Sequence, residues 1–487
     1  MTPSKDRNPD LPVLVLFRHD LRMADNRALR LAADSGKPVV PVFVFDEMSE
    51  GTRKIGGARR WWLHRSLEAL AKSLKQAGVD LVLRAGPMAD VARDLVEDTG
   101  ADLVVWNRRY DPPAIAADTQ MKSRLAALGV ETHSFDGHLL HEPWSIKTGS
   151  GGFYKVYTPF WRALVANVVP REPVARPRSL RPFDGRIKTE KLSEWHLLPT
   201  HPDWTGGLAA EWTPGEDAAH AALDAFLSGP IDGYGENRDR PDFPSTSRLS
   251  PYLAHGEITP FQIWHALETR KIDAATTDIE KFRKEVAWRE FSHHLLFHNP
   301  ELGNVNFNRD FDAFPWIKDT KALKAWQTGQ TGYPLIDAGM RQLWQTGWVH
   351  NRVRMVVASF LVKHLLQDWR AGEDWFWDTL VDADPASNTA NWQWVAGSGA
   401  DAAPYFRVFN PMLQSQKFDP RAVYVHRFVP ELAKLSAKDT QAPWTASKAA
   451  LSAAGVKLGT DYPVAIVDHS SARDRALQAY QDMRGNS

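Results

Sequence analysis

Five short apolar, β-rich runs alternate with segments of helical period through the first 136 residues, and this alternation constrains the fold more than any other feature of the chain. The runs are PVLVLF (12–17), VVPVFVF (39–45), DLVLRA (80–85), ADLVVW (101–106) and ETHSF (131–135). Between the second and third, RRWWLHRSLEALAKSL (59–74) has the apolar spacing of a helix. Strands that alternate with helices argue for a parallel sheet whose crossovers cover both faces. The expectation is a doubly wound α/β domain over residues 1–136. The first strand runs into RHDLRMADN (18–26) with no G-x-G-x-x-G, so the usual dinucleotide fingerprint is missing and a nicotinamide dehydrogenase is disfavoured.

Residues 137–205 are rich in Pro, Gly and basic residues and weak in periodicity, as a long connector would be. From Trp212 the helical period dominates. WTPGEDAAHAALDAFL (212–227), KFRKEVAWREFSHHLLFH (281–298) and GWVHNRVRMVVASFLVKHLLQDW (347–369) are expected helices, within an all-α domain over residues 206–487. Hydrophobic content of 43% and charged content of 24% are those of a globular protein. The polar N-terminus and the lack of a long apolar run point to the cytoplasm and away from a membrane. With no cysteine, disulfides, Cys-ligated zinc and cysteine-held iron–sulfur clusters are excluded, and no metal site is expected elsewhere. Basic and acidic residues balance at 59 each, so any nucleic-acid site must be a local patch.

Two expected helices carry polar residues where an apolar stripe should run. Phe282, Glu285 and Arg289 fall at i, i+3 and i+7 with Trp288 beside them, and Trp348, Asn351, Arg352 and Met355 share one arc. A buried ion pair or a half-exposed stripe would explain either alone. Together they suit a pocket for a flat heteroaromatic ligand, which needs stacking faces and a few directed hydrogen bonds. DADPASNTANWQW (382–394) concentrates Asp382, Asp384, Asn388, Asn391, Trp392 and Trp394 and could supply more of both. PSTSRLSPYL (244–253) places Thr246, Ser247 and Ser250 ahead of a helix start with Pro251 in its first turn; an ordinary N-cap and an anion site are both open there.

WREF (288–291), TGYPLIDAGMRQLWQTGWVHNRVRM (331–355) and DADPASNTANWQWVAGSGADAAPYFRVFNP (382–411), with LFRHDLRMADN (16–26) and YTPFW (157–161), resemble the DNA photolyase and cryptochrome family from Val13 to Leu432. The resemblance implies an α/β domain that holds an antenna chromophore and a helical domain that holds FAD in a U shape. It implies that Tyr234, Thr246, Ser247, Leu249 and Ser250 hold the phosphates and ribityl chain, with Phe282, Glu285, Arg289, Trp348 and Asn351 around the cofactor. Arg354 should pair with Asp382 at the isoalloxazine edge, Asp384 should lie beside it, and Asn388 should face flavin N5. Phe282 stands where several relatives carry Trp.

By the same resemblance, Trp288 and Trp394 flank a flipped-out lesion, and Trp392, Trp369 and Trp316 carry an electron from the surface to photoexcited FAD. WNRRYDP (106–112) is similar to plant cryptochromes and class III bacterial photolyases. It places Asn107, Tyr110 and Asp111 near the antenna, expected to be 5,10-methenyltetrahydrofolate, with a deazaflavin as the other choice. The implied activity is light-driven splitting of cyclobutane pyrimidine dimers in damaged DNA by a monomer. Glu285 and Asn351 would hydrogen-bond the lesion bases, with Met355 beside them, while Arg352, Arg407 and Lys417 contact phosphates. A cryptochrome-type receptor is the rival reading, and Asn388 favours repair because plant and insect cryptochromes tend to carry other residues there. A light-independent flavoenzyme is disfavoured, since no acid–base pair of hydride-transfer type is evident. Asn351 and Met355 fit cyclobutane-dimer enzymes, whereas enzymes for the (6-4) photoproduct carry a second His at the Asn351 position. Opening a (6-4) adduct needs proton transfer, a task for His, and His350 reads as structural.

Overall fold

The computed structural model describes residues 8–402 and 406–485, so three residues of the 382–411 motif lie outside the described residues. Strands β1 (Val13–Phe17), β2 (Val39–Phe45), β3 (Val82–Ala85), β4 (Leu103–Asn107) and β5 (Glu131–Phe135) form one parallel sheet in the order β3-β2-β1-β4-β5. Successive side chains of a strand point to opposite faces. Val13, Val15 and Phe17 accordingly pack with Leu29, Leu67 and Leu70 on one side, and Leu14 and Leu16 pack with Met88, Leu95 and Met121 on the other. The sheet is therefore doubly wound, and the remainder of the described chain is mostly helical.

Between the two parts, buried polar groups act as struts. Arg22 is fully buried and donates to the carbonyls of Asp25, Gly137 and Gly256, each at 2.9 Å, tying the loop after β1 to the connector and to the helical part. Removing it would orphan three buried acceptors at about 1–3 kcal/mol each. Gly256 sits at φ +67°, and a Cβ there would lie 2.0 Å from the His19 carbonyl oxygen, so this crossing requires glycine. Glu257 accepts from Trp62 Nε1 at 3.1 Å and from the Ser66 hydroxyl, both on helix Gly57–Gln76.

Burial raises the Glu257 carboxyl to about 8. Its folded value lies above its unfolded one, so stability is complete below the unfolded value and is lost as pH rises toward 8. Glu257→Gln can still accept from Trp62 and donate to Ser66, and it cannot ionise. Melting temperature is expected to fall less for this variant than for the parent between about pH 6 and about pH 8.5; equal losses would show that another group controls the alkaline limb.

Expected helix 281–298 starts earlier, at Thr276, and two others are interrupted. Residues 212–227 form a helix only from Glu216 to Leu227, because Pro214 and Gly215 interrupt it. Residues 347–369 are three pieces. Gly347, at φ +64°, ends helix Pro334–Thr346, helix Asn351–Ser359 then runs into a π turn, Phe360–His364, and Leu366 at φ +50° breaks the chain before helix Trp369–Thr379. Trp348 thus precedes its expected helix. The connector contains one substantial helix, Tyr157–Asn167. No helix among the described residues is long and apolar enough to cross a membrane.

Candidate active site

Helix Pro385–Ala396 organises the site. Asp384 is its N-cap and accepts from the Ala386 and Ser387 amides at 3.0 and 2.6 Å, and Pro385 takes the first helical position. Asn388 follows one turn on and Trp392 another turn later, both buried. The Asn388 amide donates to the Glu373 carbonyl at 3.0 Å and to Glu373 Oε1 at 2.8 Å, which fixes its orientation. Glu373 is itself buried and accepts from Arg53 at 2.9 Å. It was not among the expected site residues. Its signal was the acid in the stripe Trp369, Glu373, Trp377 at i, i+4, i+8, the same pattern that marks Glu285.

Arg354 grips Asp382 with two hydrogen bonds, 3.1 and 2.8 Å long, the fork geometry of a bidentate pair. Asp382 also accepts from the Ser250 hydroxyl at 2.6 Å, and Ser250 in turn receives the Trp348 indole N–H at 3.3 Å. The helix at Ser250 is only six residues long, Ser250–His255. Burial alone would push the Asp384 carboxyl up, but His293, 3.2 Å away, and Arg289 outweigh it and hold the carboxyl well below the usual range. His138 joins this buried cluster. Its ring Nε2 lies 2.7 Å from the Arg289 guanidinium, a cation that opposes a metal ion at the same place.

Among the described residues, several polar groups in this region are left without partners. Arg248 keeps Nε and Nη2 unpaired, and His350 Nε2 is buried and unpaired. Unpaired polar groups of Arg248 and His350 beside the Trp348 ring fit a flat ligand that carries phosphates and hydroxyls, the chemistry of FAD. Leu249 is buried beside them, and Phe282 packs on Phe226 and Tyr234.

Glu285 and Arg289, expected to share a stripe around the cofactor, part company. Glu285 pairs with Arg238 and with Lys281, the latter at 3.2 Å. Arg289 instead turns to the connector, donating to the His138 carbonyl at 2.7 Å. Its guanidinium thereby ties this helix to the connector. Trp288 has one face covered by Tyr157, with ring centroids 3.7 Å apart and planes within 7°. Trp394 is half-buried and donates to the Asp401 carbonyl at 2.9 Å. Asn351 is exposed at the start of its helix, one turn before the half-buried Met355.

Arg352 pairs with Asp239 at 2.6 Å, and its guanidinium lies over Phe418, where Lys417 also rests. Lys417 and Arg407 are exposed, and Arg407 lies over Phe409. Trp392 and Trp369 belong to one buried cluster, with the half-exposed Trp316 packed against it. Of the three indoles, Trp392 and Trp369 are buried and Trp316 alone reaches toward the surface.

The expected antenna residues separate. Asn107 donates to Asp20 at 2.7 Å and to Asn26 at 2.9 Å, and Arg18 reaches the Asn107 carbonyl and Asp118, so side chains of the chain itself fill the crevice between β1 and β4. Tyr110 is buried against Trp144. Asn107 Oδ1 and the Tyr110 hydroxyl are both buried without a hydrogen-bond partner. Asp111 lines a cavity of about 540 Å³ between the sheet's C-terminal edge and the helical part. Phe45, Arg59, Glu373 and Trp377 also form its walls.

With this geometry in place, comparison with known proteins gives consistent matches. Residues 13–178 match a family model described as DNA photolyase, and residues 282–482 match one described as the FAD binding domain of DNA photolyase. A deoxyribodipyrimidine photo-lyase of Agrobacterium fabrum is 58% identical over 96% of this chain and 97% of its own. Cryptochrome-1 of Arabidopsis thaliana is 36% identical over 96% of this chain and 70% of its own. Among solved structures, a bacterial class III photolyase from Agrobacterium tumefaciens superposes with a TM-score of 0.95 at 55% identity, covering 99% of this chain and all of that one.

Proposed function

Because the chain belongs to the DNA photolyase and cryptochrome family, we propose that it is a lyase that uses blue light to split cyclobutane pyrimidine dimers in DNA. The observation that carries this reading over the cryptochrome alternative is Asn388, an amide held in one orientation by Glu373 where flavin N5 is expected. FAD held by these residues would supply light-driven one-electron chemistry with no net redox change, enough to open the two carbon–carbon bonds of the dimer.

The protein's own residues bind, orient and stabilise. Thr246, Ser247 and Ser250 offer hydroxyls to the cofactor's phosphates and ribityl chain, Tyr234, Leu249, Phe282 and Trp348 give it apolar faces, and Arg354 with Asp382 meets its edge. Extrusion of the damaged dinucleotide is the general strategy of photolyases and costs less for a lesion that already pairs and stacks poorly. Trp288 and Trp394 then form the pocket walls. Arg238 and Lys281 keep Glu285 aimed, so that Glu285 and Asn351 hydrogen-bond the base edges. Arg352, Arg407 and Lys417 supply phosphate contacts that give binding its salt dependence. The protein works as a cytoplasmic monomer on damaged DNA, with residues 1–136 for the antenna, 137–205 as connector and 206–487 for FAD and the lesion.

The antenna is 5,10-methenyltetrahydrofolate, seated in the cavity that Asp111 lines, where ligands of open α/β sheets gather beyond the strands' carboxyl ends. Reconstitution with this folate is expected to add a near-ultraviolet absorption band and excitation transfer to FAD. A protein that gains neither counts against the folate, and a deazaflavin band would replace it. Repair itself is tested by illuminating reduced protein with a dimer-containing oligonucleotide.

A further inference from the structure

Both walls of the lesion pocket lead to one residue outside the pocket. Asp401 receives the Trp394 indole N–H on its carbonyl oxygen at 2.9 Å, and its carboxylate accepts the Tyr157 backbone N–H at 3.1 Å. Tyr157 starts helix Tyr157–Asn167 and lies flat against Trp288. The path Trp394–Asp401–Tyr157–Trp288 therefore joins two indoles that belong to different helices, by two hydrogen bonds and one ring stack.

Asp401 is held in the left-handed region, φ +54°, which a residue other than Gly adopts only at a cost. The loop that delivers it is fixed as well. Gly399 donates to the Gln393 carbonyl at 2.9 Å, and a Cβ on Gly399 would come within 2.7 Å of the Trp394 nitrogen. Gln393 is fully buried and donates to the Leu302 and Val305 carbonyls at 2.8 and 2.9 Å. An acid at the end of such a loop can hold a distance, since neither of its partners moves without breaking a hydrogen bond.

We propose that Asp401 is a positioning residue that sets the gap between Trp288 and Trp394 and so gives the pocket its preference for an extruded dimer over undamaged DNA. This rests on the reading of that pocket as the lesion site. The gap matters because ring stacking falls off steeply with separation. Phosphate contacts lie elsewhere, on Arg352, Arg407 and Lys417, so undamaged DNA should not sense the change.

The test compares the parent with D401A, D401G and D401N, each with FAD bound, for affinity to dimer-containing and undamaged oligonucleotides. D401G deletes the carboxylate at no conformational cost, so it stands in should D401A fold poorly. D401N keeps an acceptor for the Tyr157 amide. D401A and D401G are expected to lose about tenfold in affinity for dimer DNA while undamaged DNA binds within about twofold of the parent and repair at saturating substrate is within about twofold. D401N should restore most of the preference. An unchanged preference in D401A and D401G overturns the inference, and so does a D401N as impaired as D401A, which would make charge the cause. A parent protein that does not prefer dimer DNA overturns the functional reading, and the inference with it.

Discussion

Replacing Trp369 by phenylalanine is expected to slow blue-light reduction of oxidised FAD by roughly tenfold or more, while chemically reduced protein repairs dimers at close to the parent rate. Trp369 is fully buried, shares a cluster with Trp392 and the half-exposed Trp316, and donates its indole N–H to Asn306 at 2.8 Å. Phenylalanine keeps most of the apolar volume but is much harder to oxidise, so the proposed middle link of an electron path would be lost with modest structural damage. The orphaned Asn306 acceptor should cost about 1–3 kcal/mol of stability. A second variant attacks the inner link: a Cβ at Gly372 would lie 2.1 Å from the Trp392 ring, so Gly372→Ala must displace that indole. Both variants are read by the rate at which the oxidised-flavin absorption bleaches under blue light with an external reductant. Normal bleaching in W369F would show that the electron travels by another route.

Loss of cofactor is the second large effect. Asp382→Ala leaves Arg354, the Ser250 hydroxyl and, through Ser250, the Trp348 indole without their common partner. Breaking a pair in which the acid is almost wholly buried typically costs 3–5 kcal/mol. Because the Arg354 side chain is 23% exposed, the expected loss is nearer the lower end, about 3 kcal/mol. The variant should purify with a much smaller flavin-to-protein absorbance ratio and a lower melting temperature. Full flavin content with an unchanged melting temperature would separate this ion pair from the cofactor site.

The sequence was most legible where periodicity is enforced by burial. Each of the five strands was placed within about two residues; β1, β2 and β4 are covered on both faces and so are continuously apolar, while the polar edge strand β5 was legible from its β-rich run between helical segments. The helix over 347–369 failed because apolar content alone spans breaks: Gly347 and Leu366 both take left-handed backbone, and a π turn lies between them. Arg354 and Asp382 came together as expected. The partners that orient the site did not emerge from local pattern. Arg238 and Asp239, which hold Glu285 and Arg352, lie 47 and 113 residues away along the chain, and only the fold brings them close. Asn107 shows a related limit: a polar residue at a strand's C-terminal end can serve a ligand or a neighbouring loop, and here its amide N–H groups go to Asp20 and Asn26 while its Oδ1 stays unpartnered.

The central claim is that light absorbed by this protein opens cyclobutane pyrimidine dimers. Reduced protein is incubated in turn with an oligonucleotide carrying one thymine dimer and with one carrying a (6-4) photoproduct, and each is illuminated with blue light and then resolved chromatographically. In the proposed lesion pocket, exposed Asn351 and half-buried Met355 would offer an amide and a thioether. Burial lowers His350 to about 4, which makes it a poor acid near neutral pH. The account predicts that adjacent thymines reappear from the dimer in the light and not in the dark, with the (6-4) substrate unchanged. Restoration of the (6-4) substrate alone would contradict the lesion assignment, and an unaltered dimer under light would contradict repair itself and return the protein to the cryptochrome-type reading.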